Sequence, residues 1–143
     1  MNYSTGQVSI DLKAIKNNYL FLRKLCAPAE VAATVKASSY GLGGENKIVE
    51  TLEKAKCKKF FVANIVEALK IRKKFKSITI FVLNGLNQGE EKTFFSNNIT
   101  PVLNNYNQFE RWTSYIKVNF NRPLMLHVDT GMNRLGFQKL DIE

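Results

Sequence analysis

Residues 60–85 read FFVANIVEALKIRKKFKSITIFVLNG, and the fold class follows from how they divide. Phe60-Phe61-Val62-Ala63 is a short apolar run with the composition of a strand. Ile65 to Phe75 has the length of a helix, with the cations Lys70, Arg72, Lys73 and Lys74 spread along it. Ile78 to Leu83 is a second run of β-branched and aromatic residues, closed by the turn-forming Asn84-Gly85. A helix between two strands returns the chain to the end where it started, so the two strands lie parallel.

The same alternation continues on both sides. Toward the N-terminus, Leu12, Ile15, Tyr19 and Leu22 fall at helical spacing between Asp11 and Leu25, and Pro28 ends that pattern. Val31 to Val35 is a run of small and β-branched residues, the composition of a strand covered on both faces. Turn chemistry at Gly41, Gly43 and Gly44 leads into a helix with Ile48, Val49, Leu52 and Ala55 on one side. Toward the C-terminus the pattern predicts a helix over Gln88–Phe95 and a strand over Thr100–Leu103. It then predicts a helix over Tyr106–Val118, carrying Phe109, Trp112 and Ile116, and a strand over Leu124–Val128. About five strands alternating with helices define an α/β protein with a parallel sheet or barrel. An open doubly wound sheet is complete with five strands and an eight-stranded barrel is not, and pattern alone leaves both open. The stretch after the fifth strand, Phe137 to Glu143, contains no returning helix and reads as interrupted, which in an unclosed barrel leaves a strand edge needing a partner.

The chain has 143 residues, 45% of them hydrophobic, which suits a single domain. Its 21 Lys and Arg against 12 Asp and Glu give a formal charge of +9, enough to attract polyanions. The cations are scattered along helices, as at Lys70, Arg72, Lys73, Lys74 and Lys76, and no Arg/aromatic motif accompanies them, so a solvated helix face is expected rather than nucleic-acid binding. Cys26 and Cys57 lack metal-ligand spacing and the chain has a single histidine, so no metal site is expected and the cysteines read as reduced thiols. The N-terminus has no charged start followed by an apolar run, and no stretch of about 18 apolar residues follows. A cytoplasmic protein with no membrane association is therefore expected.

Two segments carry chemistry. In Thr34-Val35-Lys36-Ala37-Ser38-Ser39-Tyr40-Gly41-Leu42-Gly43 a lysine ends a buried strand, and a tyrosine and glycines follow. Strand ends are where parallel α/β folds build sites, and a desolvated lysine is suited to Schiff-base chemistry. The other reading is a lysine whose stem packs on the strand while its amine reaches water. The glycines permit backbone amides to approach a phosphate, but there is no GxxxxGK[ST] loop and so no support for a nucleotide triphosphatase. The second segment, Leu124 to Phe137, runs from an apolar strand into Asp129-Thr130-Gly131-Met132-Asn133-Arg134. Asp129 and Thr130 are either turn caps or site residues. Arg134, beside a glycine turn at a strand end, suits recognition of an oxyanion.

Together these segments resemble the signatures of the alanine racemase family, the fold-type III pyridoxal-phosphate enzymes. Val35-Lys36-Ala37 with Tyr40-Gly41-Leu42-Gly43 matches the first signature, and Val128 to Met132 with Arg134-Leu135-Gly136 matches the second. Their order, the 98 positions between Lys36 and Arg134, the opening Ile10-Asp11-Leu12 and the Val62-Ala63 with Glu67-Ala68 also follow the family. The resemblance implies the first part, about five strands, of an eight-stranded (β/α)8 TIM-type barrel. It implies that residues 1–143 are an incomplete N-terminal barrel domain whose C-terminal β domain is absent. By the same resemblance Lys36 is the catalytic residue: it holds pyridoxal 5′-phosphate covalently and, when freed, acts as base on one face of the alanine α-carbon. Tyr40 would contact the cofactor phosphate, and Arg134 the phenolic oxygen and the substrate carboxylate.

The chain departs from the family pattern in places. His127 stands where a lysine, often carbamylated and paired with the arginine, is usual, so a neutral group replaces a charged one. Leu42 replaces a histidine between the glycines, and Ser38 replaces an asparagine. Family members are considerably longer and act as homodimers in which a tyrosine of the other subunit supplies the second base. The expectation is an alanine racemase, an isomerase supplying D-alanine for peptidoglycan, present as a truncated or split fragment that does not racemise alone. A second polypeptide completing the barrel is the corresponding partner. The alternatives are a non-catalytic remnant of a decayed racemase gene and a basic nucleic-acid-binding module.

Overall fold

Asp11 starts the first helix: its carboxylate accepts hydrogen bonds from the amides of Lys13 and Ala14 at 2.8 and 3.0 Å, the N-cap arrangement that satisfies amides with no partner inside the helix. From there the computed structural model describes residues 6–116, 122 and 124–138. The elements run α1 (Leu12–Leu25), β1 (Ala33–Thr34), α2 (Lys36–Tyr40), α3 (Glu45–Lys54), β2 (Lys59–Val62), α4 (Ile65–Lys74) and β3 (Thr79–Val82). They continue as α5 (Glu91–Ser96), β4 (Ile99–Leu103), α6 (Tyr106–Ile116) and β5 (Met125–Leu126). All strand pairs are parallel, and the sheet order is β1-β2-β3-β4-β5. Among the described residues every strand thus lies beside its neighbour in sequence, with no point at which the order reverses. A doubly wound sheet needs such a reversal and a barrel does not, so this is the strand order of a TIM-type barrel's first part.

The core lies between the sheet and the helices on one of its faces. Phe60, Val62, Ile80, Val82, Ile99 and Leu103 project from the strands into Ile48, Val49, Leu52, Ala68, Ile71, Phe94 and Trp112. Phe94 meets the Trp112 ring edge-on, with centroids 6.3 Å apart. Each large apolar side chain buried there stabilises the fold by about 1.5–3 kcal/mol.

The structure differs from the sequence expectation in several places. The strands read over Val31–Val35 and Leu124–Val128 shrink to two residues each, because only those residues complete a ladder with β2 and β4. The helix expected from Gln88 starts at Glu91, because Gly89 stands at φ +86°, outside the right-handed helical region. Arg72 does not belong to the solvated face with Lys70, Lys73, Lys74 and Lys76: it is buried, and its guanidinium donates to the carbonyls of Phe75, Lys76 and Asn98 at 3.0, 3.1 and 2.9 Å. It thereby ties the end of α4 to the start of β4, a set of fixed-fork contacts that a lysine ammonium does not reproduce. Within the helix expected to Val118, Lys117 and Val118 lie outside the described residues, as does the chain end from Lys139. No helix among the described residues is long and apolar enough to cross a membrane.

Candidate active site

Side chains alternate across a strand, so the ladder register fixes which residues share a face. Thr34 pairs with Phe61, Phe61 with Phe81, Phe81 with Thr100, and Val102 with Met125, all on the face away from the helical core. Phe61 and Phe81 stack there with centroids 4.8 Å apart. Two positions farther along their strands come Lys36, Ala63, Leu83, Asn104 and His127, at the C-terminal ends. β1 and the two residues after it thus bring a lysine to the site end of the sheet.

These strand ends border a cleft of about 290 Å³, whose lining includes Lys36, Ala63, Leu83, His127, Arg134 and Leu135. Its basic groups are an amine, a guanidinium and an imidazole, and among the described residues no carboxylate lines it, so it is built for a ligand bearing negative charge. A larger depression of about 640 Å³ runs along α6 beside Tyr106, Glu110 and Ser114, but it gathers no comparable set of groups.

Lys36 leads into an unusual turn. Ala37, Ser38, Ser39 and Tyr40 have φ of 51°, 51°, 56° and 59°, a left-handed turn made entirely of residues with side chains. Such a conformation costs about 1–2 kcal/mol per residue, so the surroundings must hold it. Gly41 ends it, its amide reaching the Ala37 carbonyl at 2.8 Å, and the Gly43 amide reaches the Ser38 carbonyl at 2.9 Å. The Ala37 amide donates to Glu67 Oε1 at 3.0 Å, while the other oxygen of Glu67 accepts the Ala63 amide at 2.8 Å. Charge-assisted bonds of this kind contribute about 1.5–3 kcal/mol each. The Ser39 hydroxyl is buried there and has no hydrogen-bond partner among the described residues.

His127 is oriented by Asn104. The Asn104 Nδ2 donates to the carbonyls of Leu83 and Val102, both at 2.9 Å, which uses both amide hydrogens and leaves Oδ1 facing the ring. His127 Nδ1 lies 2.7 Å from that oxygen and must be the donor. The neutral imidazole is therefore the Nδ1–H tautomer, with the lone pair on Nε2.

Arg134 stands on a loop organised by Asp129. Its Oδ1 accepts the amides of Gly131 and Met132, and its Oδ2 accepts that of Asn133, each at 2.9 Å. These bonds, that of Gly131 foremost, hold the Asp129 carboxyl below its ordinary range. Asp129 is thus the turn cap, one of the two readings its sequence position allowed. The loop closes through Phe137, whose amide reaches the His127 carbonyl at 2.7 Å. Gly136 makes that closure possible: its φ is +109°, and a Cβ there would lie 2.9 Å from the Asp129 nitrogen.

Of the residues singled out from sequence, Lys36 and Arg134 meet in the cleft, while Tyr40 is 63% exposed and is not among the cleft-lining residues. Sequence reasoning did not assign Asn104 or Glu67 a part. Asn64 followed three residues later by Glu67 is a helix-start signature, and Asn64 Oδ1 does accept the Glu67 amide at 3.1 Å. Nothing local marks the carboxylate's partners, one of which is 30 residues away. No group of three or more His, Cys, Asp or Glu is placed to hold a metal ion among the described residues.

Comparison with known proteins gives one consistent result. The family described as alanine racemase, N-terminal domain, matches residues 10–143. The chain is 39% identical over 142 residues to a catabolic alanine racemase of Agrobacterium fabrum, covering 98% of this chain and 36% of that protein. It is 42% identical over 138 residues to an alanine racemase of Rickettsia prowazekii, covering 95% of this chain and 34% of the relative. The crystal structure of alanine racemase from Bartonella henselae with covalently bound pyridoxal phosphate superposes with a TM-score of 0.86 at 38% identity, over 93% of this chain and 37% of that one. The chain thus spans little more than a third of the length of these relatives.

Proposed function

The chain belongs to the alanine racemase N-terminal domain family, and from that membership we propose that it forms the lysine-bearing part of a pyridoxal-phosphate-dependent racemase that interconverts L- and D-alanine. The observation that carries this reading is the meeting of Lys36, Arg134 and His127 in one cleft at the C-terminal ends of the strands. The donor set fits the cofactor: a primary amine matches its carbonyl carbon, and a guanidinium matches its anionic oxygens.

Lys36 Nζ would hold the cofactor covalently, and Arg134 would orient its phenolic oxygen and the substrate carboxylate. Tyr40, exposed on the turn after Lys36, would take the phosphate. When bound, pyridoxal phosphate supplies an electron sink that acidifies the α-hydrogen of an amino acid. The Lys36 amine, released when substrate binds, then moves a proton to and from one face of the α-carbon.

Inversion requires proton transfer on both faces, and Lys36 serves one. We assign the other to a second subunit of a homodimer. Further strands, from a longer chain or a second polypeptide, would cover the apolar rim of β5, where Leu124, Leu126 and Val128 are exposed. Cys26, exposed as a free thiol, is compatible with the reducing cytoplasm.

The test is solvent exchange: the chain is incubated with pyridoxal phosphate and each alanine enantiomer in deuterium oxide. Lys36 is expected to exchange the α-hydrogen of one enantiomer faster than the other, and K36A to lose that preference. Equal, Lys36-independent exchange of both would refute the assignment, and sustained D-alanine formation by the chain alone would refute the need for a second base.

A further inference from the structure

We propose that Glu67 is the positioning residue of this site, setting where the Lys36 amine stands by pinning the backbone that follows two strand ends. The inference rests on the reading of Lys36 as the cofactor lysine. The Glu67 carboxylate accepts the Ala37 amide at 3.0 Å on one oxygen and the Ala63 amide at 2.8 Å on the other. Ala37 directly follows Lys36, and Ala63 directly follows β2 and lines the cleft. One side chain therefore spans the gap between the ends of β1 and β2.

The anchoring matters because of what it holds. Ala37 begins the left-handed turn, so releasing its amide lets the peptide that carries Lys36 relax toward the ordinary right-handed region. That relaxation re-aims the Cα–Cβ bond of Lys36, and the long side chain magnifies the change at Nζ. β1 is short: Ala33 and Thr34 pair with β2 and the Val35 amide donates to the Phe61 carbonyl at 2.9 Å, so its hold ends one residue before Lys36. The α4 end is firm by comparison: Asn64 caps the Glu67 amide at 3.1 Å, and Ala68 beside it is fully buried.

The chemistry requires a carboxylate. Both backbone groups are donors, and a carboxylate presents an acceptor to each. Glutamine keeps the length but turns an NH2 toward one of the two amides, and aspartate keeps the charge but shortens the arm.

The experiment compares the wild-type chain with E67Q, E67D and L69A, the last a stability control on the same helix that leaves the carboxylate in place. Each is treated with pyridoxal 5′-phosphate and borohydride, and the adducts are mapped peptide by peptide. Amide exchange at Ala37 and Ala63 and the unfolding midpoint are measured in parallel. Expected is a fall of about tenfold or more in Lys36 labelling relative to the other lysines in E67Q and E67D, with faster exchange at both amides. L69A is expected to lower the midpoint without changing Lys36 selectivity. Unchanged selectivity in a folded E67Q or E67D chain would overturn the positioning role even if stability fell. If neither variant folds, Glu67 is structural and the proposal fails. Absence of selective Lys36 labelling in the wild type would refute the cofactor reading instead, and the exchange data would still judge the carboxylate's hold on the two amides.

Discussion

His127 shows how a single residue can be set by one not obvious from sequence. Asn104 spends both amide hydrogens on the carbonyls of Leu83 and Val102, so its oxygen accepts the imidazole Nδ1 hydrogen. Nitrogen NMR is expected to find neutral His127 as the Nδ1–H tautomer in the wild type and as a tautomer mixture in N104A. A wild-type mixture would contradict the assignment. Asp129 acts similarly on the Arg134 loop. Its folded-state pKa lies below the ordinary carboxylate value, chiefly through the Gly131 amide, so its ordering effect is complete above about pH 4 and fades as pH falls through the lowered value. The amide resonances of Met132 and Asn133 should follow that titration, with a midpoint below about pH 4. A midpoint at or above that value would show that the carboxylate does not hold the loop.

At the scale of elements, the left-handed turn α2 is the least ordinary piece. Four successive side-chain-bearing residues at positive φ are unfavourable, and Ser38 sits at φ 51° with only weak hydroxyl contacts to Glu45 at 3.4 Å. Glycine meets no penalty in that region, so S38G is expected to raise stability by about 0.5–1 kcal/mol in denaturant unfolding. A loss of stability would mean that the Ser38 hydroxyl contributes more than the strain costs. The alternating strands and helices were legible in the sequence because their apolar spacing is local. The left-handed turn was not, because Ala37-Ser38-Ser39-Tyr40 contains no glycine and is fastened by Glu67, far away in sequence. Arg72 was misplaced for a related reason: among the cations of α4, composition cannot tell the one whose guanidinium turns inward from its solvated neighbours. The strand-end placement of Lys36 was legible, since an apolar run ending in a lysine and a turn is visible in one window.

Across the whole molecule, a sheet whose spatial order repeats its sequence order gathers Lys36, Ala63, Leu83, Asn104 and His127 at one end. The core fastens the other face of the sheet to the helices, leaving this one available for a site. β1 and β5 are each paired on one side among the described residues, and exposed Leu126 and Val128 sit at or beside β5. The arrangement makes the central claim one of selectivity, because the chain carries many lysines and, among the described residues, Lys36 alone stands in the cleft. The most direct measurement is borohydride trapping of pyridoxal 5′-phosphate on the wild-type chain, with adducts located by mass spectrometry and K36A as control. Labelling concentrated at Lys36 and abolished in K36A, with the other lysines unchanged, is the result expected. Adducts scattered over surface lysines, equally in both chains, would contradict the claim that these strand ends build the cofactor site.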